Sequence, residues 1–119
     1  VYYVGLFNGM DDIELFQKSE QGRDVNRHNY TPAEIEVALQ QPVTKAIIAL
    51  ARLRKHNAFE GQFTWTQLSD NSMRLAWANG SDAISLEFVT TVGASSFVIE
   101  ATDASGTRKF ASVEELGNA

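Results

Sequence analysis

The chain has 119 residues, of which 44% are hydrophobic and 21% charged, and its 10 basic and 15 acidic side chains give a formal charge of −5. This composition is that of one globular domain and excludes a chain that is mainly disordered or collagen-like. The acidic balance argues against nucleic acid, which needs a basic face. No stretch approaches the ~18 apolar residues of a membrane span, and a chain without cysteine has no disulfides or cysteine zinc sites. We therefore expect neither nucleic acid nor a membrane as partner. The absence of cysteine fits any compartment, and a cytoplasmic location is the default expectation.

The first six residues, Val1 to Leu6, are β-branched, aromatic and apolar without alternation. This pattern predicts a strand buried on both faces of a parallel sheet. Such a strand needs neighbours, and no initiating methionine precedes it, so we expect the chain to be part of a longer protein. Residues 7–30 are polar and predict a long loop with one helical turn around residues 13–17. A loop of that length in a compact domain is more often functional than filler.

The four residues from Thr31 to Glu34 predict the start of a helix. Thr31 is the expected N-cap, Pro32 suits the first helical position, and Glu34 completes a capping box. Pro42 is expected to end this helix near Gln40 and to open a second one.

The second helix carries a broad apolar arc that calls for packing partners on two sides. We expect its exposed face, which includes Ile47, Ile48 and Leu50, to make the isolated chain self-associate. At the C-terminal end of this helix, His56 is interpreted as a cationic side chain that complements the helix dipole.

After residue 57 the apolar period changes from 3.6 to 2, which predicts five half-exposed antiparallel strands within residues 63–111. Asn79-Gly80 predicts a two-residue hairpin of type I′ between the second and third strands. The acidic tail from Ser112 is expected to form a sheet edge or a frayed end. The predicted fold class is α+β: one strand, a long loop and two helices, followed by an antiparallel β sheet or sandwich.

Metal and nucleophile motifs are missing from the sequence. His28 and His56 belong to no HxxxH or HExxH spacing, so no metal site is expected. Asp11, Asp12 and Glu14 lack the twelve-residue calcium pattern and are interpreted as turn and capping residues. Neither Gly-x-Ser-x-Gly nor a glycine-rich phosphate loop is present, so a complete active site within this chain is not expected.

Two further groups of residues are candidates for binding. Phe63, Trp65 and Trp77 fall at alternating strand positions and are expected in the core rather than on a sugar-stacking surface. Residues 22–30 concentrate charged, amide and aromatic side chains directly after the predicted parallel strand, where barrel enzymes keep their sites. From the residues alone, Arg27 forms either a structural salt bridge, for example with Asp24, or a ligand contact.

Four motifs follow one another along the chain: Val-Tyr-Tyr-Val-Gly-Leu, Asp-Asp-Ile-Glu-Leu, Gly-Arg-Asp-Val-Asn-Arg-His-Asn-Tyr-Thr, and Gln-Pro-Val before an apolar helix. Over residues 1–65 the chain resembles the C-terminal end of the sucrose phosphorylases, transglucosylating enzymes of the α-amylase clan, glycoside hydrolase family 13. The resemblance implies a parent enzyme with a (β/α)₈ barrel. Residues 1–57 would be its last strand, loop and closing helices, and residues 58–119 its C-terminal antiparallel β domain.

The resemblance also implies a reaction, in which sucrose and phosphate give α-glucose 1-phosphate and fructose with retention, through a covalent glucosyl-enzyme intermediate. It implies neither a metal nor an organic cofactor. The aspartate nucleophile and glutamate acid/base lie on earlier barrel strands, so this chain alone is expected to be inactive. Arg27 would hydrogen-bond the glucosyl 4-hydroxyl. Asp24, Asn26 and His28 would hold Arg27 in position without contacting the sugar themselves.

Two positions depart from the family pattern, since Asp11 stands where Asn is expected and Asn29 where Tyr is frequent. They leave open a related phosphorylase that acts on sucrose 6′-phosphate or glucosylglycerate. The sequence also leaves open a different function, a stand-alone β module that binds a carbohydrate or a protein. That module would need Trp65 and Trp77 to be exposed.

Overall fold

The computed structural model describes residues 3–25 and 28–119, with a helical N-terminal half before a five-stranded antiparallel sheet. The strands pair in chain order, so hairpins join them. The fold is therefore α+β, as the change of apolar period predicts. The helices are α1 (Tyr3–Leu6), α2 (Ile13–Ser19), α3 (Pro32–Ala38), α4 (Pro42–Leu53) and α5 (Val113–Gly117), with 3-10 turns at Gly22–Asp24 and Asn57–Glu60. The strands are β1 (Gln62–Ser69), β2 (Ser72–Asn79), β3 (Asp82–Thr91), β4 (Ala94–Asp103) and β5 (Gly106–Phe110).

The predicted start of α3 is confirmed in detail. The Thr31 hydroxyl accepts a hydrogen bond from the Glu34 amide at 3.3 Å, and the Glu34 carboxylate accepts one from the Thr31 amide at 2.7 Å. The helix ends at Ala38, and Pro42 is the first residue of α4. Proline therefore separates the two helices as expected, because its ring excludes the carbonyl of the preceding turn.

The predicted strand at the N-terminus is wrong for the described residues, since Tyr3–Leu6 form the short helix α1. Its backbone groups bond locally, with the Phe7 amide donating to the Tyr3 carbonyl and the Gly9 amide to the Val4 carbonyl, both at 2.9 Å. A parallel strand needs a neighbouring strand for its amides and carbonyls. The strands of the described sheet lie within residues 62–110 and pair only with one another, so this segment satisfies its hydrogen bonds as a helix.

The hairpin between β2 and β3 exists, but its turn lies one residue later than predicted. Asn79 pairs with Asp82, which leaves Gly80 and Ser81 as the two central residues. Gly80 has a φ of 60°, whereas Ser81 is not among the residues with positive φ. A glycine at the first central position is characteristic of a type II′ turn, while type I′ needs positive φ at both.

One row of side chains crosses all five strands on the same face of the sheet: Trp65, Leu75, Leu86, Ile99 and Phe110. Helices α4 and α5 cover the β4–β5 end of this row, where Ile99 and Phe110 are buried and Leu86 of β3 packs against the same cluster. A second cluster, of Ala58, Ile84 and Ala101, is buried beneath the 3-10 turn at residues 57–60. The core therefore lies toward one side of the sheet, and β1 lies beyond the layer that covers it.

This off-centre core corrects the expectation that Phe63 and Trp65 are buried. Phe63 is 49% exposed and Trp65 62% exposed, although both point to the apolar face. Only Trp77 is partly enclosed, with its ring centroid 4.9 Å from those of Phe59 and Phe63. The alternation of β1 predicted its strand and its faces correctly. Apart from β2, β1 packs mainly against the short 3-10 turn at residues 57–60 rather than against a long helix.

The acidic tail is neither a sheet edge nor frayed, because it forms α5. Ser112 caps this helix by accepting from the Glu115 amide at 3.1 Å, and the Glu115 carboxylate accepts from the Ala111 amide at 2.7 Å. Leu116 is 3% exposed and packs into the core with Ala46 and Ala49 of α4. Within the described part of the chain, every helix is too short or too polar to cross a membrane.

Candidate functional site

Two of the four predicted site residues, Asn26 and Arg27, lie outside the described residues. The proposed contact of Arg27 with a sugar and its alternative salt bridge with Asp24 therefore both stay predictions. The other two, Asp24 and His28, flank this pair and are described. Asp24 ends the 3-10 turn, and its side chain is largely buried, with Arg23 Nε 4.0 Å from its Oδ1.

His28 lies between two carboxylates that come from different helices. Its Nδ1 is 3.3 Å from Oδ2 of Asp12, and its Nε2 is 3.2 Å from Oε1 of Glu34. Asp12 precedes α2 and Glu34 belongs to the first turn of α3. His28 therefore bridges the N-terminal ends of these two helices, directly after the segment that contains Arg27.

Each carboxylate divides its oxygens between a helix cap and His28. Asp12 Oδ1 accepts from the Leu15 amide at 2.9 Å, and Glu34 Oε2 accepts from the Thr31 amide and hydroxyl at 2.7 and 2.8 Å. The remaining oxygen of each carboxylate faces the imidazole. The interpretation of Asp12 as a capping residue is confirmed, and the structure adds His28 as its second partner.

These contacts shift the pKa values of all three groups in the direction of their charged forms. The pKa of Asp12 is lowered by the Leu15 amide first and then by His28, and that of Glu34 is lowered by Thr31 first and then by His28. The pKa of His28 is raised by its hydrogen bonds with Asp12 and Glu34. Hydrogen bonds donated to a carboxylate stabilise its ionised form and lower its pKa. Neighbouring carboxylates stabilise a protonated imidazole and raise its pKa.

Aromatic side chains support the bridge from one side. The Tyr30 ring meets the His28 ring at a right angle with centroids 4.7 Å apart, and it also contacts Phe7 at 5.1 Å and Tyr3 at 5.9 Å. Gly9 allows this packing, because a Cβ there would collide with the Tyr30 hydroxyl. Edge-to-face contacts of this kind fix the orientation of the rings as well as adding attraction.

An open cleft of about 850 Å³ lies beside the bridge, between the start of α2 and α3. Its polar groups include Asp11, Asp12, Glu14, His28 and Glu34, together with apolar side chains of α3. Glycoside chemistry needs a carboxylic acid whose pKa is raised so that it can donate a proton. Asp12 and Glu34 have lowered pKa values instead, so neither is suited to be that acid.

His56 lies at the start of the 3-10 turn that follows α4. Its Nδ1 accepts a hydrogen bond from the Ala58 amide at 3.2 Å. Its Nε2 is buried and 3.9 Å from Asp103, too far for a hydrogen bond. Among the residues described, no group of three His, Asp or Glu side chains is placed to hold a metal ion.

Comparisons with known proteins place this chain in a family. The chain is 44% identical over 89 residues to the sucrose phosphorylase of Bifidobacterium adolescentis, and 39% identical over 87 residues to the sucrose 6(F)-phosphate phosphorylase of Thermoanaerobacterium thermosaccharolyticum. These alignments cover 74% and 72% of the chain. The chain belongs to the sucrose phosphorylase family. A third relative, the glucosylglycerol phosphorylase of Marinobacter adhaerens, is 41% identical over 67% of the chain.

The structural comparison agrees with the family assignment. The fold matches the crystal structure of a sucrose 6F-phosphate phosphorylase from Thermoanaerobacter thermosaccharolyticum with a TM-score of 0.85 and 32% identity, over 94% of this chain and 23% of that one. The matched part is the C-terminal region of the phosphorylase. The alignments span only 17–18% of the three relatives' lengths. No protein-family model matches the chain.

Proposed function

We propose that this chain is the C-terminal part of a retaining phosphorylase that transfers the glucosyl group of sucrose to phosphate, giving α-glucose 1-phosphate and fructose. The observation that carries the proposal is the match of 94% of the chain to the C-terminal region of a sucrose 6F-phosphate phosphorylase at 32% identity. The names of the related enzymes support phosphorolysis as the reaction and differ in the glucosyl donor. A cytoplasmic location, expected from the sequence, belongs to the same proposal.

Within this proposal, residues 31–57 are the closing helices of a (β/α)₈ barrel and residues 58–119 are the C-terminal β domain. Arg27 binds the glucosyl 4-hydroxyl, and Asp24, Asn26 and His28 hold its segment. The planar guanidinium suits this role, since its fixed fork of donors can bind a sugar oxygen and a neighbouring carboxylate together.

The isolated chain is proposed to be inactive. Two of the carboxylates that line the described cleft, Asp12 and Glu34, are bound by helix caps and by His28, and their lowered pKa values do not suit them to donate a proton. A nucleophile and one acid/base residue in the remaining part of a longer enzyme would complete the site.

The test is an assay of the full-length protein that contains this chain, with the 119-residue chain measured in parallel. We expect the full-length protein to release fructose from sucrose only when phosphate is present, and the 119-residue chain to release none. Sucrose 6′-phosphate, glucosylglycerate and glucosylglycerol serve as alternative donors under the same conditions. Phosphate-independent hydrolysis alone, or no turnover of any of these donors, would overturn the proposal.

The 119-residue chain is further proposed to self-associate through α4. Val43 and Leu50 are exposed on this helix at 39% and 44%, and Ile47 between them is half-buried. The chain has 8239 Å² of solvent-accessible surface. This is about 1,800 Å² more than the surface expected for a compact monomer of this mass. A standard interface buries roughly 800 Å² per partner, so the excess is large enough for a second copy.

Sedimentation velocity over a range of concentrations checks this expectation. The unmodified chain should form dimers or larger species as concentration rises, and Leu50→Glu should shift it to the monomer because a charge cannot be buried without cost. Val92→Glu is the matched control, since Val92 is fully exposed in the β3–β4 turn. A monomer at every concentration would contradict self-association, and equal effects of the two variants would contradict α4 as the interface.

A further inference from the structure

The number of N–H donors that His28 needs between Asp12 and Glu34 determines its protonation state. A neutral imidazole has one N–H donor and one lone pair, whereas an imidazolium has two donors. Both ring nitrogens of His28 face carboxylate oxygens, at 3.3 and 3.2 Å. A neutral ring would therefore direct a lone pair at one carboxylate. Only the imidazolium satisfies both contacts.

The carboxylates do not supply the missing proton. Asp12 already accepts from the Leu15 amide, and Glu34 accepts from the Thr31 amide and hydroxyl, so each is stabilised as an anion by its helix cap. A proton placed on either one would weaken these charge-assisted bonds. The three groups therefore share one favoured state, with two anions and one cation between them.

Apart from His28 itself, the charged groups among the described residues that line this cleft are acidic. Asp11 and Glu14 line the same cleft, and the Tyr30 ring closes one side of the imidazole. No lysine or arginine is among the described residues that line this cleft. The nearest cation of α2, Lys18, is 3.9 Å from the carboxylate of Glu14.

We propose that Asp12 and Glu34 are positioning residues, which hold protonated His28 as a clamp between α2 and α3 and thereby fix the adjoining segment that contains Arg27. The clamp itself follows from the contacts of His28, while its importance for Arg27 rests on the proposed function. Neither carboxylate touches substrate in this proposal. Each acts through His28, whose backbone directly follows Arg27 in the chain.

The clamp has a defined pH window. His28 has a raised pKa, so its contribution is complete below the ordinary imidazole value of about 6.5 and is lost as pH rises through the raised value. Asp12 and Glu34 have lowered pKa values, so their contribution is complete above the ordinary carboxyl values of about 4 and is lost as pH falls through the lowered ones. The clamp is therefore complete between the ordinary carboxyl and imidazole values and is lost as pH rises through the raised pKa of His28.

NMR titration of the ring protons tests the clamp in the 119-residue chain, which has only two histidines. His28 should titrate above the ordinary imidazole range. Asp12→Asn and Glu34→Gln should each lower its pKa, and the double variant should lower it further. Asparagine and glutamine retain capping ability, so these variants remove charge while leaving the helix starts in place. Glu36→Gln, on the exposed side of α3, is the matched control and should leave the His28 titration unchanged.

Kinetics of the full-length protein test the positioning role. We expect each amide variant to lower kcat by about tenfold, since small misplacements of a sugar-binding group are costly, and to move the alkaline limb of the pH profile to lower pH. An unshifted His28 titration would overturn the clamp, whatever the enzyme does. A shifted titration with unchanged kinetics in an active enzyme would overturn the positioning role. An inactive wild-type enzyme with a shifted titration would overturn the proposed function while supporting the clamp.

Discussion

Replacing Arg27 with alanine in the full-length protein is expected to lower kcat/KM for sucrose by more than about tenfold, because misplacing a reacting ring by roughly 1 Å can cost ~10²-fold. In the proposed site the guanidinium binds the glucosyl 4-hydroxyl of the donor, so its loss should raise KM. The misplaced ring should lower kcat as well. Steady-state phosphorolysis of sucrose, measured over sucrose and phosphate concentrations, gives both parameters.

Two further arginine variants sharpen this test. Arg27→Lys keeps the positive charge but loses the planar fork of donors, so it should restore only a small part of the activity. Arg23→Ala is the matched control, because Arg23 lies in the same segment, is largely exposed, and is 4.0 Å from the Asp24 carboxylate. If Arg27→Ala and Arg23→Ala gave the same near-normal kinetics, the proposed role of Arg27 would be refuted.

Local signals in the sequence predicted most of the helical and sheet elements. The capping box of α3 lies within four residues, and the proline that opens α4 acts on the preceding turn, so both could be predicted without tertiary contacts. The five strands follow from side-chain alternation, which depends only on the pleat of the chain. Helix α5 was missed although Ser112 and Glu115 have capping-box spacing.

Features that depend on distant parts of the chain could not be predicted in the same way. Asp12 and His28 are 16 residues apart, and no periodicity relates them. The exposure of Trp65 depends on which strands α4 covers, because alternation assigns a side chain to a face without saying what lies over it. The conformation of α1 depends on the presence of neighbouring strands, which the segment's own composition cannot specify.

The same distinction applies to the candidate site. The sequence singled out residues 22–30 from their mixture of charged, amide and aromatic side chains, and it included His28. It did not identify the two carboxylates that hold His28, because each could be explained completely by its local capping role. A capping residue with a second free oxygen can serve a tertiary contact as well, and only the folded chain reveals that second partner.

Replacing Leu116 of α5 with alanine is expected to lower the free energy of unfolding strongly. Leu116 is 3% exposed and lies in the core cluster with Ile99 and Phe110. Truncating a buried leucine removes its transfer free energy and leaves a cavity, which costs about 2–5 kcal/mol. Because small domains have only roughly 5–15 kcal/mol of stability, this change should lower the urea midpoint strongly.

Leu68→Ala supplies the matched control, since it removes the same atoms from a side chain that is 51% exposed on β1. Its cost should be at most about 1 kcal/mol, because much of that side chain already contacts water and no cavity is formed. Urea denaturation followed by far-UV circular dichroism compares the two variants at equal m-values. Equal losses would mean that α5 contributes no more than an exposed strand position, whereas the expected difference would make α5 an integral part of the core.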